Sequence, residues 1–152
     1  FPLYFFGMPS QMKATTDRCL PFMLPYMGNL VEDKNASFHE LRDESMHEKR
    51  LVVITTCGYV DEKPMYPALL KQLDLIAGEG HYTAILCPEG ELFIADKAKR
   101  QREGYLAEIT RAGAEFAQNR ALSEETKKRI AKPILSPKGF ETITLAHWGM
   151  NK

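Results

Sequence analysis

The sequence predicts an α/β fold with a parallel sheet, and two observations carry that prediction. Two apolar runs, residues 1–6 and 51–56, each lead into a loop that contains glycine. A helical pattern of apolar residues follows each loop. Alternation of strands and helices in this order is typical of parallel sheets whose helices pack on the faces. The length of 152 residues suits one globular domain.

The first elements follow directly from residue types. Residues 1–6 are apolar and aromatic throughout, which predicts the end of a buried parallel strand. Pro9 and Ser10 suit a helix start, and we expect the helix that follows to pack on the sheet. The polar stretch of residues 28–49 predicts a surface excursion that is helical in part.

The middle of the chain predicts a right-handed β-loop-α-β unit. Residues 51–56 are rich in β-branched side chains, as in a strand covered on both faces. A leucine-rich helix should end near Gly78, and residues 81–86 should form the next strand. Three strands are few for a sheet buried on both faces, so we expect an upstream segment or a partner chain to cover the remaining apolar surface.

The last third of the sequence predicts helices. Residues 96–118 form a long helical pattern despite Gly104 and Gly113, and Ser123 is a good N-cap for a short helix. The predicted organisation is therefore an α/β part at residues 1–95 and a helical extension at residues 96–152, packed on the same domain.

Composition argues against several classes of function. Lys plus Arg and Asp plus Glu number 20 each, so no net charge attracts nucleic acid or an anionic membrane. The three cysteines match neither a disulfide framework nor metal-ligand spacing, which favours a reducing cytoplasm and no metal site. No run is long enough to span a bilayer, and the apolar start lacks the basic region of a signal peptide.

The candidate ligand-binding residues lie where the two apolar runs end, because ligands bind beyond the carboxyl ends of parallel strands. For residues 2–8 the alternative is an ordinary strand end with core aromatics, and for residues 55–59 it is a plain strand-to-helix turn. Catalytic residues cannot be assigned, and Cys57 is more typical of a small buried residue than of a nucleophile. Lys13, Asp17 and Arg18 lie on one turn or adjacent turns and predict an ion-pair role that stabilises a helix. The candidates are Pro2, Leu3, Tyr4, Phe5, Phe6, Gly7 and Met8, followed by Thr55, Thr56, Cys57, Gly58 and Tyr59.

These two segments, together with residues 11–18, 112–115 and 121–126, resemble one known family. It is the flavodoxin-like NAD(P)H-dependent FMN oxidoreductases, in the branch of multimeric flavodoxins and iron-sulfur flavoproteins. The resemblance extends from Phe1 to about Trp148 and covers only the carboxyl-terminal part of that family's domain. The family's first strand and phosphate-binding loop have no counterpart, and Phe1 stands where the family usually has a small hydroxyl residue.

The resemblance implies a flavodoxin-like three-layer parallel sheet that lacks its N-terminal strands. It implies FMN as cofactor, NAD(P)H as co-substrate, a quinone or other small acceptor, and a homo-oligomer. Residues 2–8 would run beside the flavin ring, with Tyr4 or Phe6 packing against it. Residues 55–59 would form the second wall, where Gly58 allows close approach and Thr55 or Thr56 donates a hydrogen bond.

Two other functions remain compatible with the sequence. A non-enzymatic flavodoxin-type electron carrier would share the fold and the cofactor, although the long C-terminal extension and balanced charge argue against it. A truncated, flavin-free chain could act only as an assembly module, which an exposed sheet edge would favour.

Overall fold

The computed structural model describes residues 1–25, 41–61 and 63–150. Its sheet contains β1 (Leu51–Thr56) and β2 (Tyr82–Cys87), paired in parallel with Leu51 opposite Tyr82. The described residues also form five α-helices, which confirms the predicted α/β class. They are α1 (Ser10–Asp17), α2 (Pro67–Ala77), α3 (Lys99–Asn119), α4 (Glu124–Ile130) and α5 (Pro137–His147).

The opening segment runs parallel to β1, on the side away from β2. The Leu3 N–H donates to the Thr56 carbonyl over 2.7 Å, and the Thr56 N–H donates to the Phe1 carbonyl over 3.1 Å. Pro2 forms a parallel bridge with Thr56. The predicted parallel direction is therefore confirmed for residues 1–3. The prediction of a buried strand through residue 6 was wrong, because none of residues 1–6 is buried and residues 4–7 form a tight turn away from the sheet.

Helices pack on both faces of the sheet. On one face, Val53 and Cys57 of the β1 side pack with Leu69 and Leu73 of α2. On the other face, Ile85 and Cys87 pack with residues of α3 and α4. Helix α2 begins with Pro67 at its first position and ends at Gly78, whose φ of 88° suits glycine. The predicted leucine-rich helix and the β-loop-α-β unit are both confirmed.

Two packing expectations were wrong. Leu51 and Ile54 of β1 are 41% and 47% exposed, so this strand is not covered on both faces along its length. Helix α1 was predicted to pack on the sheet, but it contains no buried residue. The physical reason is that α1 offers Met12 as its one large apolar side chain, too little to anchor eight residues on a sheet.

The C-terminal helices fold back onto the loop that follows β2. The Ser123 hydroxyl accepts the Thr126 N–H over 3.3 Å, which confirms the predicted cap. Helix α5 packs through Phe140 and Ile143 on Leu92, which lies in a 3-10 turn at Gly90–Phe93. Within the described ranges, none of the helices is long and apolar enough to cross a bilayer.

The predicted surface excursion is described only in part. Residues 28–40 lie outside the described residues, so that part of the prediction stays open. The remaining stretch contains a short 3-10 helix at Glu44–Glu48, which begins after Asp43.

Candidate functional site

Three loops meet at the carboxyl end of the sheet, and we call them the loop cluster. The first loop is residues 3–8, the second is residues 57–59 and the third is residues 88–91. Backbone hydrogen bonds join the second and third loops: the Gly90 N–H donates to the Cys57 carbonyl over 2.6 Å, and the Glu89 N–H to the Tyr59 carbonyl over 2.9 Å. The Leu3–Thr56 bond holds the first loop beside them. The structure thus brings the two predicted segments together.

The first loop turns back sharply in an uncommon backbone conformation. Tyr4 and Gly7 exchange backbone hydrogen bonds of 3.3 and 3.0 Å, as in a two-residue hairpin turn. Between them, Phe5 and Phe6 have φ values of 47° and 63°, the mirror-image turn that usually requires glycine or asparagine. Holding large side chains there costs about 1–2 kcal/mol per residue. Such strain is often found at functional sites.

The side chains of this turn point into solvent. Tyr4 is 61% exposed, Phe6 is 49% exposed and Phe5 is fully exposed. By contrast, Leu3 and Met8 pack against the core beneath α2 and anchor the loop. An apolar aromatic patch that the protein leaves uncovered is typical of a binding surface.

The second loop divides into buried and accessible residues. The Thr55 side chain is fully buried, which leaves Thr56 as the accessible hydrogen-bond donor of the two candidate threonines. Cys57 is also buried, in the cluster that contains Val53 and Leu69, as expected for a structural cysteine. Gly58 is exposed, and Tyr59 is 52% exposed beside it. This loop can therefore offer a ligand Gly58, Tyr59 and the Thr56 hydroxyl.

A buried tyrosine, Tyr66, supports the sheet below the loop cluster. The Tyr66 hydroxyl lies 3.4 Å from both the Thr55 and the Cys87 carbonyl oxygens. Burial raises the pKa of Tyr66 far above its usual value, so it stays neutral. Burial likewise raises the pKa of the Cys87 thiol. Neither group is therefore expected to act as a general acid or base near neutral pH.

The third loop was missed by the sequence analysis. Glu89 is fully buried with a left-handed φ of 55°, and its carboxylate accepts the N–H groups of Ile134 and Leu135, just before α5. Burial raises the pKa of this carboxyl, and the two N–H groups oppose that rise. The signal was available, because Pro88, Glu89 and Gly90 directly follow a strand, as the other two loops do.

Unpaired backbone N–H groups at the loop cluster are available to a ligand. In the part of the chain that the structure describes, no acceptor pairs with the N–H groups of Phe5, Phe6, Gly58 or Tyr59. Backbone N–H groups are obligate donors, and a ligand with carbonyl or ring-nitrogen acceptors can satisfy them. The described residues contain no group of three or more metal-ligating side chains.

An open groove lies beside the first loop. It has a volume of about 470 Å³, within the usual range of about 300–1,000 Å³ for small-molecule sites. Its lining is mainly apolar, and it comes from the opening segment and from the start of α1: Phe1, Pro2, Tyr4, Pro9, Gln11, Met12 and Thr15. On the same helix, Lys13 and Asp17 form the predicted ion pair.

Comparison with known proteins does not identify a family. The chain matches no family model, no curated protein and no solved structure.

Proposed function

We propose that this chain contributes the flavin-ring side of an FMN-dependent NAD(P)H oxidoreductase with a flavodoxin-like three-layer fold. Hydride would pass from NAD(P)H through FMN to a quinone or another small acceptor. The observation that supports this most is the loop cluster, where the two predicted segments lie side by side and expose aromatic rings and unpaired N–H groups.

The chemistry of the loop cluster fits a flavin ring. The ring is planar, so the exposed faces of Tyr4 and Tyr59 can pack against it, while its carbonyl and nitrogen edge can accept from Phe6 and Gly58 N–H groups. Gly58 presents no side chain, which permits close approach of its backbone. FMN, when bound, supplies the redox chemistry, and these residues would position the ring and tune its electronics.

The phosphate end of FMN needs different contacts. The resemblance provides no counterpart of the family's phosphate-binding loop, so the proposal assigns only ring contacts to the loop cluster. Riboflavin carries the same ring without the phosphate. We therefore expect the chain to bind riboflavin and FMN with affinities that agree within about threefold, a difference of less than 1 kcal/mol.

The proposal is tested by titrating the 152-residue chain with FMN and with riboflavin, following the quenching of flavin fluorescence. Saturable quenching is expected, and Tyr59→Ala should weaken it about three- to tenfold through loss of ring packing. Leu106→Ala on α3 removes an exposed apolar side chain from outside the loop cluster and should leave affinity unchanged. Absence of saturable quenching would contradict the proposal.

One observation favours a second candidate, a flavin-free chain that assembles with a copy of itself. The apolar residues Leu51 and Ile54 are exposed on β1, which pairs with β2 on one side and is bridged on the other side by Pro2 at Thr56. Sedimentation velocity over a range of protein concentrations distinguishes this case. Self-association that Ile54→Lys abolishes, together with no flavin binding, would support it over the oxidoreductase.

A further inference from the structure

Trp148 reaches the loop cluster from the end of α5. Its indole N–H donates to Oε2 of Glu91 over 3.2 Å. Glu91 in turn lies against the second loop, since a Cβ atom added at Gly58 would be 3.6 Å from Oε1 of Glu91. The indole is thus separated from Gly58 by a single carboxylate.

Helix α5 fixes the position of this indole. Just before α5, the Leu135 N–H donates to the buried Glu89 carboxylate over 3.1 Å. Just after α5, Trp148 bonds Glu91. Between them Phe140 and Ile143 pack on the fully buried Leu92. Both ends of α5 are therefore attached to the third loop, which places Trp148 at the rim of the loop cluster.

Most of the indole side chain is accessible to a ligand. Trp148 is 59% exposed, and its ring contact with His147 is edge to face, with centroids 5.5 Å apart and planes at 78°. An indole face attracts cations more strongly than other aromatic side chains do. The Glu91 carboxylate adds negative charge at the same place, and no lysine or arginine among the described residues forms an ion pair with it.

We infer that Trp148 and Glu91 form a subsite for a planar, positively charged ring. The proposed function supplies one such ring, the oxidised nicotinamide of NAD(P)⁺, and the assignment to nicotinamide rests on that function. The indole would stack on the ring, and Glu91 would hold the indole in place and favour positive charge. An anionic ring of the same size would be disfavoured.

The test compares two probes of similar size and opposite charge, 1-methylnicotinamide and nicotinate. Trp148 is the single tryptophan of the chain, so one indole N–H resonance in a ¹H–¹⁵N spectrum reports the subsite. Methylnicotinamide should shift this resonance saturably, and nicotinate should bind at least about tenfold more weakly. Glu91→Gln should reduce the preference to about threefold or less, while Glu141→Gln, an exposed site on α5, should leave it unchanged.

The Trp148→Leu variant lacks the indole resonance, so its binding is measured by saturation-transfer spectra that observe the ligand. This variant should give no methylnicotinamide signal. A resonance that neither probe moves, or equal affinity for the two probes, would overturn the inference. The FMN titration separates the two proposals. FMN binding without a methylnicotinamide response overturns the subsite alone. A methylnicotinamide response without FMN binding supports the subsite and counts against the flavin function.

Discussion

Gly90→Ala should destabilise the protein by forcing the second and third loops apart. A Cβ atom at residue 90 would lie 3.1 Å from the Cys57 carbonyl oxygen and 3.3 Å from the Thr56 Cβ and hydroxyl. These neighbours are backbone or β-branched atoms at the end of β1, which have little freedom to move. The loops can separate only by stretching the 2.6 Å hydrogen bond from Gly90 to Cys57.

The expected cost combines overpacking with a weakened hydrogen bond. Forcing an extra methyl into a packed site costs about 1–3 kcal/mol, and a backbone hydrogen bond contributes about 0.5–1.5 kcal/mol. The two terms overlap, because the same movement relieves the first and causes the second. We therefore expect the free energy of unfolding to fall by about 2 kcal/mol.

Urea denaturation followed by far-ultraviolet circular dichroism measures this change. Gly113→Ala is the matched control, because Gly113 lies inside α3 with nothing within 4 Å of an added Cβ. That substitution should raise the free energy of unfolding by about 0.5–1 kcal/mol through higher helix propensity. A Gly90→Ala variant as stable as the wild type would refute the described contact between the loops.

Three further outcomes are expected. Replacing Phe5 by Asn and Phe6 by Gly should raise the urea midpoint, because the pair removes about 2 kcal/mol or more of turn strain, yet it should weaken flavin binding. Ser123→Ala should lower the free energy of unfolding by about 1 kcal/mol through loss of the α4 cap. Burial raises the pKa of Glu89, so ionisation of this carboxyl favours the unfolded chain. The free energy of unfolding of the wild type, relative to that of Glu89→Gln, should therefore be greatest below the ordinary glutamate pKa. It should fall as the pH rises through the pKa of Glu89 in the folded protein. Urea titrations between pH 4 and 8, at about one-unit steps, check that sign.

The parts of the fold that were predictable are those set by local chemistry. The β-branched run of β1, the proline and glycine that bound α2, and the Ser123 cap each express a preference within a few residues. The parallel direction of residues 1–3 relative to β1 was predictable, because both apolar runs end at loops. These features were confirmed because the tertiary packing agrees with the local preferences of these residues.

The features that were missed depend on contacts between distant residues. The partly uncovered face around Ile54 reflects which helices reach the sheet, and no local pattern shows that. The left-handed turn at Phe5 and Phe6 contradicts their residue preferences. The attachment of Leu135 to Glu89 joins residues 46 positions apart. For the candidate site, the sequence predicted the first two loops but not the third loop, whose Glu91 accepts the indole N–H of Trp148.

The most direct test of the central claim is an FMN titration followed through backbone amide resonances. If the loop cluster binds the flavin ring, the amide signals of Phe5, Phe6, Gly58 and Tyr59 should shift together and saturate at one FMN concentration. The Gly113 amide, on α3, should stay fixed. Shifts confined to other segments, or no saturable shift at any of these four amides, would contradict a flavin site at the carboxyl end of the sheet.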